Sequence, residues 1–183
     1  MSMSFLQSQG LSTTFHHNSR RSQVPNLWLF WKSSITPPNL LHCSQQQLTM
    51  EVEGAIITII HAHCIYIQRR QLWTELQHIS NANFPWLLMG DFNAYLSYSE
   101  KQGGNIPSAA AMNDFQECVS IAHLMEVPCN GFHHTWWNKQ KGGTIELGSS
   151  YTRTLDFYSD PKVEEAKRGY EEMEQRSLWK HQS

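Results

Sequence analysis

The amino-acid sequence predicts an α/β fold with mixed β-sheets. Short apolar runs typical of buried strands alternate along the chain with segments whose apolar residues recur every three or four positions, as in amphipathic helices. The 183 residues suffice for one sizeable core. A mean hydropathy of −0.49 and the absence of an apolar run near the ~20 residues that cross a bilayer exclude a membrane-spanning protein. The 7 Trp, 8 Phe and 6 Tyr argue against disorder, because an unpacked chain carries little aromatic surface.

Charge and cysteine usage restrict the functional classes. The net charge of −2 lacks the excess of Lys and Arg that marks many nucleic-acid-binding domains, so phosphate chemistry would depend on local groups or a metal. Four widely spaced cysteines with no CxxC pair indicate a reducing compartment. Without a secretory signal, we expect an intracellular protein, nuclear or cytoplasmic. An organelle transit peptide is a minor alternative, since no acidic residue precedes Glu51.

The first half of the chain alternates between loops, strands and one helix. Residues 1–23 are polar and rich in Ser, which predicts a poorly structured N-terminal segment. The aromatic run 24–32 predicts a strand. The β-branched run 55–60 predicts a strand covered on both faces. Residues 69–80 carry one apolar helical stripe, formed by Leu72, Trp73, Leu76 and Ile79.

The second half continues the alternation. The apolar run 84–89 predicts a buried strand, and glycines and a proline make 99–107 a loop. A helical pattern starts after Ser108, and the aromatic residues 132–138 suit a strand. We place the main domain at 24–160. The last stretch, 161–183, alternates acidic and basic residues at helical spacing and predicts a charged C-terminal helix.

One constellation carries chemistry. The strand 84–89 ends in Gly90-Asp91-Phe92-Asn93, which places a carboxylate and a carboxamide at the rim of a sheet, where ligand sites are common. Gly90 permits a sharp bend or a close approach. The Asp91 carboxylate can hold a hard cation or orient a water, and the Asn93 amide can donate to a phosphate oxygen. The alternative is a plain turn, because Gly, Asp and Asn all favour turns.

This strand and its flanks resemble a known family. Gly90 to Asn93, together with the segments 59–62, 69–73, 100–104 and 135–136, are similar to the endonuclease/exonuclease/phosphatase family, most of all to the apurinic-type endonuclease domain of plant LINE (non-LTR) retrotransposons. The resemblance covers roughly residues 24–147. It implies a four-layered α/β sandwich, two packed mixed β-sheets flanked by helices, and cleavage of DNA phosphodiesters with Mg²⁺ or Mn²⁺.

The resemblance assigns roles to individual residues. Asp91 would orient or deprotonate the attacking water and contribute to a metal site, and Asn93 would contact the scissile phosphate. His61 stands where many family members have a Tyr that hydrogen-bonds the phosphate. Asp156 lies in an element that resembles the family's Leu/Ile-Asp-aromatic motif, whose Asp positions substrate and water.

Three more residues are candidates for substrate contact. Thr135 and Trp136 match the family's Thr-Trp strand, which borders the DNA groove. Lys101 falls in the loop after Asp91, where it can reach a DNA phosphate. An ordinary solvated lysine is the alternative for Lys101.

The sequence also departs from the family pattern. Nothing acidic precedes Glu51, so the upstream metal-binding Glu is missing, and Ser159-Asp160-Pro161 replaces the closing Ser-Asp-His. A positioned acid or base contributes ~10²–10⁴-fold to a rate. We therefore expect a domain that is incomplete at both ends, with weak or no activity. A non-catalytic nucleic-acid-binding or relic domain is the alternative. A small zinc module built on His61, His63 and Cys64 is a further one.

Overall fold

The computed structural model describes residues 3–19, 24–82 and 84–126, and the backbone of three later strands. The helices are α1 Met3–Ser8, α2 Tyr66–Ser80 and α3 Ala109–Ile121. The first strands are β1 His16–His17, β2 Trp28–Leu29, β3 Asn39–Cys43, β4 Gln47–Val52, β5 Ala55–His61 and β6 Trp86–Asp91. The later strands are β7 Lys101–Gln102, β8 Met125–Glu126, β9 Trp136–Trp137, β10 Leu147–Gly148 and β11 Arg153–Asp156. The mixture of helices and strands confirms the α/β class.

A six-stranded mixed sheet forms the centre, in the order β3-β4-β5-β6-β11-β8. Its β5 and β6 are parallel and α2 connects them, while the other neighbouring strands are antiparallel. A parallel pair needs such a crossover because its strands start at the same edge of the sheet. Two smaller sheets pair β1 with β2 and order the others as β7-β10-β9.

Both faces of the central sheet are covered by apolar side chains. Ile56 and Ile60 of β5 belong to a core shared with α2 and α3, whereas Ile57 and Ile59 pack on the opposite face against a cluster that includes Leu27. The predicted two-sided burial of β5 is confirmed. The core of the helical side is built mainly from Leu72, Trp73, Leu76, Trp86, Leu88, Phe92, Phe115 and Cys118.

Both predicted helices are confirmed in the central region. In α2, Leu72, Trp73 and Leu76 are buried as the apolar stripe requires. Ser108 is the N-cap of α3, and its hydroxyl accepts a hydrogen bond from Ala111 N at 3.4 Å. No helix among the described residues is long and apolar enough to cross a membrane.

Two hairpins were not predicted from the sequence. β3 follows directly on Pro38 and is largely exposed, and its apolar pair, Leu40 and Leu41, is too short to predict a strand. It becomes a strand through its backbone pairing with β4. Between β4 and β5, Glu53 and Gly54 both have positive φ, 51° and 87°. Two such residues make the tight turn that matches the twist of a hairpin.

The start of the chain differs from expectation. Within 1–23, where a poorly structured segment was predicted, α1 buries Leu6 and β1 pairs with β2. Of the strand expected over 24–32, only β2 forms a ladder, and Lys32 adds a single isolated bridge with Leu11. Pairing across the sequence, which local patterns do not encode, produces these elements. The charged helix predicted for 161–183 lies outside the described residues.

Candidate functional site

The ends of β5 and β6 bring two predicted site residues together. The parallel register pairs His61 with Asp91, and Ala62 N donates to the Asp91 carbonyl oxygen at 2.7 Å. The carboxyl ends of neighbouring parallel strands lie at one edge of the sheet, which is where α/β proteins bind ligands. His61 and Asp91 therefore form one polar rim.

Asn93 also lies at this rim, in the turn that follows β6. Its φ is +47°, a left-handed conformation that Asn tolerates better than most residues, so the strand ends at Asp91. Asn93 N donates to Asp91 Oδ1 at 2.9 Å, and Asn93 Nδ2 donates to the Ala62 carbonyl oxygen at 2.7 Å. The turn thus holds the carboxylate and the carboxamide next to each other and leaves one amide hydrogen of Asn93 for another acceptor.

The proton of His61 is positioned by Asn26. Asn26 Nδ2 lies 2.6 Å from His61 Nδ1, and a carboxamide nitrogen can only donate. His61 Nδ1 is therefore the acceptor, and the neutral imidazole carries its proton on Nε2. This tautomer makes His61 a hydrogen-bond donor at the rim.

Buried Asn18 holds Asn26 in turn. Asn18 is 4% exposed, and its Nδ2 donates to Asn26 Oδ1 at 2.6 Å and to the carbonyl oxygens of Ser44 and Gln45. Its Oδ1 accepts from the backbone N–H groups of Asn26 and Leu27. The sequence analysis did not identify Asn18 or Asn26. No local signal marks them, because their role comes from contacts between β1, β2 and the β3–β4 turn.

A cavity of about 530 Å³ opens beside the rim. Carboxamides and imidazoles dominate its wall, which includes Asn18, Asn26, Gln45, Gln46, His61, His63, Gln68, Gln71 and Asn93. No Asp, Glu, Lys or Arg of the described part of the chain is among its lining residues. The cavity is therefore a neutral pocket of hydrogen-bond donors and acceptors, and Asp91 lies next to its wall.

Burial shifts the titration of the two charged groups near the rim. Desolvation raises the pKa of Asp91, while the hydrogen bond from Asn93 N and electrostatic interactions with the nearby His61 and Arg69 side chains act in the opposite direction. Desolvation lowers the pKa of the Arg69 guanidinium, and Cys64, Asp114 and Asp91 oppose that shift. Asp91 is thus a stronger base than an exposed aspartate.

The donor set suits a magnesium or manganese ion poorly. Such ions are held by carboxylates, waters and substrate phosphates. Asp91 is the one carboxylate of the rim in the described part of the chain. One of its oxygens already accepts from Asn93 N, and the charge of nearby Arg69 opposes a second cation. The predicted metal role of Asp91 has little support from its surroundings.

The zinc alternative finds no support either. Among the described residues, no group of three or more His, Cys, Asp or Glu side chains is placed to hold a metal ion. His61 Nδ1 is taken by Asn26, and His63 Nδ1 accepts from Ile65 N at 3.0 Å. The His61, His63 and Cys64 pattern therefore makes local hydrogen bonds at the end of a strand.

Two predicted substrate contacts share a different sheet. Gly148 of β10 pairs with Lys101 of β7 on one side and with Trp136 of β9 on the other. Lys101 Nζ donates to the Asn105 carbonyl oxygen at 2.8 Å, and Lys101 does not line the cavity beside the rim. Lys101 and Trp136 thus lie on either side of Gly148 in the β7-β10-β9 sheet. Thr135 lies outside the described residues.

The backbone register places Asp156 away from the rim, and its role in the site stays a prediction. In the antiparallel register of β11 with β6, Asp156 pairs with Leu87 and Arg153 pairs with Gly90. Leu87 precedes Asp91 by four residues, roughly 13 Å along a strand at about 3.3 Å per residue. A sequence motif does not encode strand register, and this pairing places Asp156 toward the opposite end of β6 from Asp91.

No protein-family profile matches this chain, and no curated protein matches it.

Proposed function

We propose that this chain is a DNA-binding domain of the endonuclease/exonuclease/phosphatase type, similar to the endonuclease domain of plant LINE retrotransposons, with weak or no cleavage activity. The observation that carries the proposal is the polar rim, where Asp91, Asn93 and His61 lie together at the ends of two parallel strands beside a polar cavity. DNA as the partner and a nuclear or cytoplasmic location are part of this proposal.

The four-layered sandwich belongs to the same proposal. The six-stranded sheet, with α2 and α3 on one face and the Leu27 cluster on the other, would form one half of such a sandwich. The β7-β10-β9 sheet, which contains the Thr-Trp strand of the resemblance, would belong to the second half.

The rim can bind a phosphate through neutral donors. His61 Nε2–H and the remaining amide hydrogen of Asn93 can each donate to a phosphate oxygen, and Asp91 can accept a proton from a water on the same edge. Neutral donors contribute roughly 10²–10³-fold each to a rate. Enzymes typically reach about 10⁶–10¹⁷-fold. Since no second carboxylate joins Asp91 in the described rim, binding without appreciable turnover is the expected behaviour.

Binding of a short labelled DNA duplex by the full 183-residue chain tests the proposal. We expect affinity that falls as salt rises, because phosphate contacts release counterions. His61→Ala and Asn93→Gly should each weaken binding at least about tenfold, since a hydrogen bond to a charged group contributes about 1.5–3 kcal/mol. Glycine keeps the positive φ of residue 93. His78→Ala, an exposed histidine in the last turn of α2, is the matched control.

Nicking of supercoiled plasmid with Mg²⁺ or Mn²⁺ separates binding from catalysis. We expect no EDTA-sensitive nicking above that of Asp91→Ala. Rapid nicking that is lost in Asp91→Ala would show a complete enzyme. Absence of DNA binding at low salt, or equal affinity in His61→Ala and His78→Ala, would exclude the rim as a DNA site.

A further inference from the structure

A second cavity, of about 330 Å³, adjoins the first. The two share Cys64 and Asn93 as wall residues, and the second one reaches the first turn of α3. Its wall includes Arg69 of α2, Tyr66, Tyr95, Ser108 and Ala111. Unlike the first cavity, it contains a charged side chain.

Arg69 is buried, and the described hydrogen bonds of its side chain use two of its five N–H donors. The residue is 5% exposed, and its Nη1 donates to the carbonyl oxygens of His63 at 2.9 Å and Cys64 at 3.1 Å. Its Nε and Nη2 have no hydrogen-bond partner among the described residues. These two nitrogens form the edge of the guanidinium that binds oxyanions through two parallel hydrogen bonds.

The charge of Arg69 also lacks a contacting counterion. Within the described part of the chain, the one ion pair joins Arg70 Nε to Asp114 Oδ2 at 2.8 Å, so Asp114 is already engaged. Asp91 acts on Arg69 at longer range. A buried charge without a partner is costly, and a bound anion would remove that cost.

The N-terminal end of α3 favours negative charge next to Arg69. Ser108, the N-cap of α3, and Ala111 in its first turn line the same cavity, and the N-terminus of a helix carries the positive end of its dipole. Backbone N–H groups there are common partners of phosphate groups. The helix end thus acts together with the buried guanidinium.

We propose that the second cavity binds a phosphate group, held by Nε and Nη2 of Arg69 at the N-terminal end of α3. The phosphate comes either from a free phosphate or mononucleotide, or from a nucleic-acid strand that also occupies the first cavity through the shared wall at Asn93. The site does not depend on cleavage at Asp91, and it goes beyond the binding proposed at the rim.

Calorimetric titration of the full chain at constant ionic strength tests the site, with inorganic phosphate, a mononucleotide and a short single-stranded oligonucleotide as probes. We expect saturable binding of inorganic phosphate, weakened at least tenfold in Arg69→Gln. The control is the double variant Arg70→Gln with Asp114→Asn, which removes the neighbouring exposed ion pair without changing net charge and should keep the affinity. No phosphate binding by the unmodified chain, or equal binding by Arg69→Gln, would overturn the proposal.

Ala111→Glu provides a test that does not alter Arg69. A carboxylate on the cavity wall should occupy the place of the ligand, abolish phosphate binding and raise Tm above that of Ala111→Gln, a variant of equal size. This Tm difference should shrink when Arg69 is also changed to Gln. Unchanged phosphate affinity in Ala111→Glu would contradict the proposal even if Arg69→Gln fails to fold.

The probes identify the source of the phosphate. Oligonucleotide affinity well above that of inorganic phosphate, lost in Arg69→Gln, supports a nucleic-acid strand, whereas equal affinities support a free phosphate. His61→Ala separates the two sites: inorganic phosphate binding that persists in this variant while duplex DNA binding is weakened supports a second site independent of the rim. Loss of inorganic phosphate binding in His61→Ala would overturn the assignment to Arg69.

Discussion

Gly90 shows how closely β5 and β6 approach each other at the rim. Its φ is +131°, and a Cβ built on it would overlap the Ile60 carbonyl oxygen and lie 2.9 Å from Ile60 N. Only glycine adopts this conformation without strain. The position of Asp91, the next residue, depends on that contact.

Replacing Gly90 by Ala should lower the free energy of unfolding by more than the ~1–3 kcal/mol typical of a strained backbone, because a neighbouring backbone must also move. Gly10→Ala is the control. Gly10 also has positive φ, +69°, but nothing lies within 4 Å of its added Cβ, so the expected cost is about 1–2 kcal/mol. Urea unfolding measures both variants, and equal losses would show that the contact with Ile60 is unimportant.

Asp91 should make stability depend on pH. Because burial raises its pKa in the folded state, the folded protein binds the proton more tightly than the unfolded chain, and ionisation of Asp91 opposes folding. This penalty is complete above the raised pKa and disappears as pH falls below the unfolded value near 3.8.

The variant Asp91→Asn should therefore be more stable than the parent chain at neutral pH, and this gain should vanish at acidic pH. Thermal unfolding of both proteins across the range gives the difference, in which the other titrating groups cancel. A gain that stays constant with pH would mean that the substitution acts through packing and that the Asp91 pKa is not raised.

At the scale of elements, a chain of buried hydrogen bonds ties the strands to α2. Trp86 Nε1 donates to Thr58 Oγ1 at 2.9 Å, and the hydroxyls of Thr58 and Thr49 lie 2.9 Å apart. Thr49 donates to Gln47 Oε1 at 2.7 Å, and Gln47 Nε2 donates to Glu75 Oε2 at 2.8 Å. An indole N–H can only donate, so the Thr58 hydroxyl accepts from Trp86. The Thr49 hydroxyl already donates to Gln47, so it accepts from Thr58. The chain crosses β6, β5 and β4, with Thr58 directly opposite Thr49 and Trp86 two residues away from the position opposite Thr58.

Thr58→Val should destabilise the protein by about 1–3 kcal/mol despite its equal size, because the Trp86 N–H is left buried without a partner. Thr58→Ser keeps the hydroxyl and loses one methyl group, so we expect it to unfold at higher urea than Thr58→Val. Strand propensity alone would give the opposite order, because valine favours strands more than serine does. If Thr58→Val proved as stable as the parent chain, the hydrogen-bond chain would contribute nothing net.

Periodicity located the central elements because it is a local property. The stripe of Leu72, Trp73 and Leu76 and the Ser108 cap predict α2 and α3, and the structure bears them out. β3 and β1 were not predicted, because their residues are exposed or polar and become strands only when a partner strand pairs with them.

In the whole molecule, Phe115 links the core to the rim. Its ring stacks on Trp73 of α2 with centroids 4.9 Å apart and meets Phe92 at 5.5 Å. Phe92, fully buried, stands between Asp91 and Asn93, so packing in the core holds the turn that shapes the site.

Phe115→Ala should cost about 3–5 kcal/mol, the usual range for a buried aromatic residue. It should also weaken DNA binding, because the turn at Phe92 loses its support. Ile121→Ala on the same helix, at a residue 49% exposed, should change stability by less than about 0.5 kcal/mol. Urea unfolding and the duplex binding assay check both effects. Intact DNA binding in Phe115→Ala would show that packing at Phe115 is not needed to hold the turn at the site.

The α/β class and the placement of Asp91 and Asn93 after an apolar strand could be inferred from sequence, because hydrophobic periodicity and turn chemistry act over a few residues. The partners of these residues could not. The contact that sets the His61 proton joins residues 35 positions apart. The displacement of Asp156 from the rim depends on the register of β11 against β6. Such pairings arise when distant segments fold together, and no local pattern records them.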